Sequence, residues 1–330
     1  MLRDFEIRRW IDKEGFAVDG RLEDVSVNDL PDRRVWFVPE LGFIKQFAAD
    51  AGNRYAREVF TLSSDIPGLA RPKLLASEDF GKRGSLLLLE PAPGRILDQV
   101  YLDLTAIEYE ELAKILGRSL GLLHSSDLPG RSGAWDSPLP QARLDDRLNF
   151  DVFVGDLSSA GKLSAEEADG LKLGMATFPG PAELKDRWEE SNEGWIHGDV
   201  HNENVFYEKT DSGPLLTFID FEEASVAPVE LDLVHPFLNI LGEAFPGREF
   251  GDERGPDHPI LQAFFSSYSA SGPKPLGLVD VGPYAVAWYL GIARDANAAG
   301  IPVSEFYLRT ALAVASLLRW VPPRNENGAP

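Results

Sequence analysis

Residues 195–206 read WIHGDVHNENVF, and residues 217–224 read TFIDFEEA. The two runs set two carboxylates, Asp199 and Asp220, and one carboxamide, Asn204, around a short apolar stretch. Val205-Phe206-Tyr207 and residues 215–219 are β-prone, and Asp211-Ser212-Gly213-Pro214 between them is turn chemistry, so a hairpin is expected here. A hairpin brings its open ends together. Asn204 entering one strand and Asp220 leaving the other therefore become neighbours able to share an ion. Mg²⁺ suits such a pair, since it commonly takes one or two protein oxygens alongside phosphates and water. Asp199, on the preceding loop, is left to face an acceptor hydroxyl. Phosphoryl transfer needs this division of labour: one carboxylate orients and deprotonates the hydroxyl, while an amide and a second carboxylate hold the metal on a nucleoside triphosphate. His197 is expected to brace the loop and His201 to lie on its surface.

Upstream, residues 23–92 read as β-rich, with strand-like runs at 35–38 (VWFV), 42–47 (GFIKQF) and 85–90 (SLLLLE). A short helix is expected over 53–63, with Tyr55, Val59 and Leu62 at apolar spacing. Lys45 sits between apolar neighbours on its strand, where an ammonium is costly unless paired. Glu58 in the helix is a suitable partner, with Glu40 and Glu78 as competitors. Downstream, Ile107, Leu112, Ile115, Leu116, Leu120 and Leu123 form a helical stripe ending in LGLLHSSD, with His124 packed at the helix end. Ser164 and Glu167 have the spacing of a capping box for a helix over 164–175. Further helices are expected over 258–268, 284–299 and 304–320. Their Trp288, Tyr289, Tyr307 and Trp320 are candidates for a pocket lining, although aromatics at helical spacing are more often core. The tail, 322–330, is expected to fray.

Taken together, the motifs resemble the aminoglycoside phosphotransferase family, small-molecule kinases related to choline kinase and distantly to eukaryotic protein kinases. The family's HGDxxxxN loop is matched by residues 197–204, and its D-[FW]-[ED] strand end by Asp220-Phe221-Glu222. The resemblance implies an α+β, bilobal protein-kinase-like fold with a small β-rich N-terminal lobe and a larger, mostly helical C-terminal lobe. Residues 1–92 would form the nucleotide-binding lobe and 93–330 the catalytic and acceptor-binding lobe, with a hinge at about 90–94 and a variable insertion at about 129–194. By the same resemblance Asp199 is the catalytic base, Asn204 and Asp220 are the metal ligands, and Asp232 anchors the larger lobe. Lys45 reaches the α- and β-phosphates, positioned by Glu58, and the Glu90 carbonyl and Ala92 N–H take the adenine edge. The implied cofactors are ATP, with GTP as the alternative, and Mg²⁺. The implied acceptor is a hydroxyl of a small metabolite, cationic or not, or of an antibiotic such as an aminoglycoside, in which case the chain would be a resistance enzyme. A kinase of Ser or Thr in a peptide and a non-catalytic nucleotide-binding protein are the rival readings. One departure stands out: VSVNDLPDRRVWFV, before Lys45, lacks a glycine-rich phosphate loop, leaving Ser26, Asn28 and Asp29 near where phosphates would lie.

Composition narrows the partners. The formal net charge is −21 over 330 residues. Residues 1–92 hold 14 basic and 16 acidic side chains, whereas 93–330 hold 18 basic and 37 acidic. Nucleic acid and anionic membranes are therefore unexpected partners, while a cationic acceptor fits the acidic part. The chain has no cysteine, which rules out disulfides and thiol nucleophiles and suits the cytoplasm. The charged first twenty residues contain no apolar signal-peptide core.

Overall fold

A five-stranded antiparallel sheet in the order β1-β2-β3-β5-β4 forms the N-terminal region. Its strands are β1 (Glu23–Asp24), β2 (Arg33–Val38), β3 (Gly42–Phe47), β4 (Leu74–Asp79) and β5 (Ser85–Leu89). The computed structural model describes residues 1–17, 21–26, 32–51, 53–100, 103–127, 149–176, 194–237, 257–302 and 304–318. Asn28, Asp29, Trp320, the tail and residues 129–148 and 177–193 of the expected insertion lie outside these. The chain divides into two compact units, one holding the described residues of Met1–Leu102 and His197–Ala224. The other holds Asp103–Asp127 and the described parts of 136–196 and 225–330.

Period-two alternation gives the sheet two different faces. Trp36 pairs with Ile44, which pairs with Leu88, and this row is fully apolar. It packs with Val38 and Leu86 against Ile7, Trp10 and Ile11. Those three belong to α1 (Asp4–Lys13), a helix the sequence did not announce. Its apolar side chains recur at i, i+3 and i+4 among many charges, and its first turn is capped by Glu6, whose carboxylate accepts the Arg3 N–H at 3.0 Å. The opposite row, Val35–Lys45–Leu87, carries the lysine on the other face. The helix α2 (Arg54–Ser63) forms as expected.

The predicted hairpin is present as β8 (Val205–Thr210) and β9 (Gly213–Phe218), closed by a two-residue turn at Asp211-Ser212. Short β6 (Arg95–Ile96) pairs with β8, and β7 (Trp195–Ile196) pairs with β10 (Ser225–Val226) in the second unit.

The second unit is helical. Its helix Ala106–His124 starts at Thr105, whose hydroxyl accepts the Glu108 N–H at 3.3 Å while Glu108 returns a bond to the Thr105 N–H at 3.0 Å. Leu112, Leu116, Leu120 and Leu123 are buried with Tyr109, but Ile107, expected in the stripe, is 78% exposed because five residues before Leu112 turn it well away from the buried face. The buried face meets helix Pro259–Ser271 at two glycines: a Cβ on Gly117 would stand 2.3 Å from the Phe264 carbonyl oxygen. Helices Phe150–Ser159, Ala165–Gly174, Val229–Asp232, Leu278–Ala298 and Ser304–Leu318 also lie among the described residues of this unit. The Ser164–Glu167 capping box forms, with the Glu167 N–H donating to Ser164 Oγ at 3.2 Å. Among the described residues no helix is long and apolar enough to cross a membrane.

Two residues read as structural meet in this unit. His124 Nε2 lies 3.0 Å from Asp232 Oδ2, and its Nδ1 lies 2.9 Å from the Tyr268 hydroxyl. Both the histidine and the aspartate side chains are wholly buried. Replacing Asp232 by alanine strands a buried ring nitrogen, so a loss of about 2–3 kcal/mol is expected. Urea denaturation measures it; an unchanged midpoint would show that the pair contributes nothing.

Candidate active site

The hairpin delivers its two ends as the turn chemistry requires. The Ile219 N–H donates to the Asn204 carbonyl at 3.0 Å, extending the β8–β9 ladder one step beyond Val205 and Phe218. Asp220 then leaves the strand in a left-handed conformation, φ 66° and ψ 60°. That conformation is costly for most side chains but is visited by aspartate. It redirects the chain into a short 3₁₀ turn, Phe221–Glu223.

The HGD loop is fixed by its histidine. His197 is fully buried; its Nε2 is 2.8 Å from the Ile219 carbonyl oxygen, and its Nδ1 receives the Asp199 N–H at 3.3 Å. One neutral tautomer, protonated at Nε2, satisfies both contacts. The ring packs against Phe221, tilted by 44°, with 4.5 Å between centroids. Gly198, between His197 and Asp199 in the chain, has φ +85°, and a Cβ there would stand 2.3 Å from the Glu223 carbonyl oxygen. Gly198→Ala is therefore expected to cost at least about 2 kcal/mol, from left-handed strain plus displaced backbone. By moving Asp199 it should also cost about a hundredfold in turnover. Thermal denaturation alongside a transfer assay tests both, and wild-type behaviour in both would contradict the packing described.

Asp199 and Asn204 are brought together. Asn204 Nδ2 donates to the Asp199 carbonyl at 2.9 Å and to its carboxylate at 3.3 Å. His201, expected on the surface, is instead partly covered, with Nε2 3.0 Å from Asn204 Nδ2 and 3.5 Å from Asp199 Oδ2. Burial opposes the Asp199 charge, but the His201 contact outweighs it and holds this carboxyl below the usual range. The same contact raises His201.

Lys45 finds the partner its burial demands. Its Nζ lies 2.7 and 2.9 Å from the Glu58 oxygens and 2.6 Å from Asp220 Oδ1. The competitors are placed elsewhere: Glu78 takes Lys13 at 2.9 Å, and Glu40 occupies the β2–β3 turn with φ 65°. Two residues that the sequence did not single out join the cluster. Arg33 Nη1 lies 3.1 Å from Asp220 Oδ2 and 2.7 Å from Glu222 Oε1. Helix α2 is tied to the same turn by Arg54, 3.0 Å from Glu223 Oε1.

Three carboxylates, Glu58, Asp220 and Glu222, thus face two cations, Lys45 and Arg33. Burial and the two other carboxylates outweigh Lys45 at Glu58, which is pushed up to about 7. Burial, then Asp220, likewise raises Glu222. Asp220 goes the other way: burial opposes its charge, but Lys45 and Arg33 together hold it at about 2. Ligand atoms of Glu58, Asp220 and Glu222 all lie within 4.8 Å of one another, and Glu222 Oε2 is buried with no hydrogen-bond partner. An all-oxygen set whose carboxylates outnumber its two cations, with an orphaned buried oxygen, fits a hard divalent cation. Asn204, the other expected ligand, is buried beside Asp199, its amide nitrogen turned toward Asp199 and His201.

The remaining expected residues follow β5. Glu90 is exposed and its N–H donates to the Lys73 carbonyl at 3.0 Å; Ala92, two residues on, is half-buried. Ser26 spends its hydroxyl oxygen on the Val35 N–H at 3.0 Å. In the second unit Tyr289 packs on Tyr307 at 5.5 Å and Trp288 on His235 at 5.8 Å.

The sequence profile of the phosphotransferase enzyme family, APH, matches residues 61–262, more than half of the chain and inclusive of Asp199, Asn204 and Asp220. The chain belongs to this family, and is a kinase-type phosphotransferase acting on hydroxyl groups. No curated protein sequence matches the chain. Among solved structures, a Ralstonia eutropha JMP134 protein provisionally named an aminoglycoside phosphotransferase is 14% identical, with a TM-score of 0.61, covering 96% of this chain and 98% of its own. The streptomycin–ATP complex of APH(2")-IIa is 15% identical with a TM-score of 0.55, covering 95% and 99%. The GDP complex of aminoglycoside 2'-phosphotransferase-IIIa is 11% identical with a TM-score of 0.56, covering 96% and 97%. At these identities the likeness is one of fold. It bears out the α+β, bilobal protein-kinase-like architecture expected from the sequence.

Proposed function

We propose that the protein transfers the γ-phosphoryl group of ATP, or of GTP in its place, to a hydroxyl of a small cationic metabolite or an aminoglycoside-like antibiotic. The observation that carries this reading is the buried Lys45–Glu58–Asp220 cluster standing in the same unit as an Asp199 held by Asn204 and His201.

Lys45, fixed by Glu58, meets the phosphates, and the Glu90 carbonyl and Ala92 N–H take the adenine edge, in a functional division of the chain at about 90–94. Asp220 with Asn204, and with Glu222 beside them, would hold Mg²⁺, which when bound neutralises charge on the β- and γ-phosphates. Asp199 accepts the proton of the acceptor hydroxyl. The acceptor oxygen forms the new bond to the γ-phosphorus, the bond to the β–γ bridging oxygen breaks, and the nucleoside diphosphate leaves. The low set of Asp199 leaves it ionised and ready to orient the hydroxyl at neutral pH. Catalysis is then mostly positioning and electrostatics.

The acceptor class is supported by charge and by analogy. Residues 93–330 carry the excess of acidic side chains, which attracts cations. Neighbouring folds include complexes with streptomycin and ATP and with kanamycin and GDP. Such an enzyme would act in the cytoplasm, where ATP and Mg²⁺ are abundant, and could protect its host from an antibiotic. A screen for transfer of label from γ-labelled ATP to aminoglycosides, other hydroxylated amines and peptides tests the reading. A labelled small cationic product is expected; labelled Ser or Thr peptides alone would replace the acceptor assignment.

A further inference from the structure

Arg33 has no part in the reading so far, yet it occupies the cluster's central carboxylate. In the β2–β3 register Arg33 stands opposite Phe47 and Val35 opposite Lys45. Arg33 and Lys45 are therefore diagonal neighbours on one face of the sheet. They divide Asp220 between them, Lys45 at 2.6 Å from Oδ1 and Arg33 at 3.1 Å from Oδ2, and Arg33 also takes Glu222 Oε1 at 2.7 Å. Both oxygens of the carboxylate read as a metal ligand thus face fixed side-chain cations. Meanwhile Glu222 Oε2, though 3.7 Å from Lys45, is left without a hydrogen-bond partner in the buried interior. A guanidinium on Oδ2 repels a divalent ion seeking the same oxygen. The sequence ahead of Arg33 also offers no glycine-rich loop.

We propose that Arg33 is an internal counter-ion. It holds Asp220 and Glu222 in place before the nucleotide binds, releases Asp220 to the divalent metal, and then pairs with phosphate oxygens of the nucleotide. The guanidinium fork fits phosphate as well as it fits carboxylate. This inference rests on the reading of Asp220 as a metal ligand.

Two binding measurements with opposite expected signs test it. Mn²⁺ alone is titrated into nucleotide-free protein and followed by electron paramagnetic resonance, and Mg·ATP is titrated calorimetrically. Arg33→Gln should bind Mn²⁺ several-fold more tightly than wild type, because the competing cation is gone. It should bind Mg·ATP about tenfold more weakly, because a charge-assisted phosphate contact is lost. Unchanged or weaker Mn²⁺ binding, or unchanged Mg·ATP binding, overturns the proposal. Should Arg33→Gln fail to fold by circular dichroism, Arg33→Lys serves instead. Keeping the charge but losing the fork, it should leave Mn²⁺ binding near wild type and weaken Mg·ATP; wild-type Mg·ATP affinity overturns the proposal. Asp220→Asn in the same titrations separates the two levels. If it binds Mn²⁺ as wild type does, the metal-ligand reading of Asp220 falls, whatever Arg33 does.

Discussion

Lys45→Met is expected to lower phosphoryl transfer by at least about a hundredfold, the size of effect seen when a single preorganised charge-stabilising donor is removed. It should also steepen the fall of stability with rising pH that Glu58 already gives the wild type. Glu58 already sits at about 7 against 4.5 for the ordinary group, since burial and its neighbours Asp220 and Glu222 outweigh Lys45. Removing the ammonium raises Glu58 further. A folded-state value above the unfolded one means that the folded protein binds the proton the unfolded chain has released. Stability is then unaffected below about pH 4.5 and falls as pH rises toward the folded-state value, by up to about 1.4 kcal/mol per unit. Urea denaturation at pH 5.5 and pH 8 measures this. The variant should lose distinctly more stability between the two than wild type, and Lys45→Met combined with Glu58→Gln should flatten the difference. Equal pH slopes for wild type and Lys45→Met would place the ammonium away from Glu58 in solution.

Much of this site was legible because each residue concerned obeys a local rule. Asp211-Ser212-Gly213 announces a turn whatever surrounds it, so the hairpin followed from sequence, and with it the bond that ties Asn204 to Ile219 next to Asp220. Lys45 could be paired with Glu58 because a lysine in an apolar strand needs a carboxylate, and a helix lay next in the chain. The capping box at Ser164 needed only its own four residues. What escaped was set by long-range register. Arg33 meets Asp220 across 187 residues, and nothing in RRVWFV says which of its arginines will share a face with Lys45; that depends on how β2 pairs with β3. Glu222 was visible within IDFEEA, but its burial follows from the left-handed turn at Asp220. His201 read as an exposed loop residue because its cover comes from the folding of the loop onto Asn204. Helix α1 was hidden for another reason: Ile7, Trp10 and Ile11 supply a narrow apolar face among charges that read simply as a polar N-terminus.

Asp199→Ala is expected to lower the turnover number by about two to four orders of magnitude, the usual contribution of a positioned general base, while leaving nucleotide binding intact. The geometry explains why the two effects separate. The Asp199 carboxylate touches Asn204 and His201 and makes no contact with Lys45, Arg33, Asp220 or Glu222, while Asn204, the remaining proposed metal ligand, keeps its shorter bond to the Asp199 carbonyl. Removing the Asp199 carboxylate therefore leaves the charge cluster unbroken. It does not disturb the bonds made by the Asp199 backbone, its N–H to His197 and its carbonyl from Asn204, so the loop should keep its shape. Transfer of label from γ-labelled ATP to an accepted hydroxyl, measured for wild type and Asp199→Ala together with the Mg·ATP dissociation constant of each, bears most directly on the central assignment. The account predicts equal dissociation constants and transfer reduced at least about a hundredfold in the variant; transfer at the wild-type rate would contradict it.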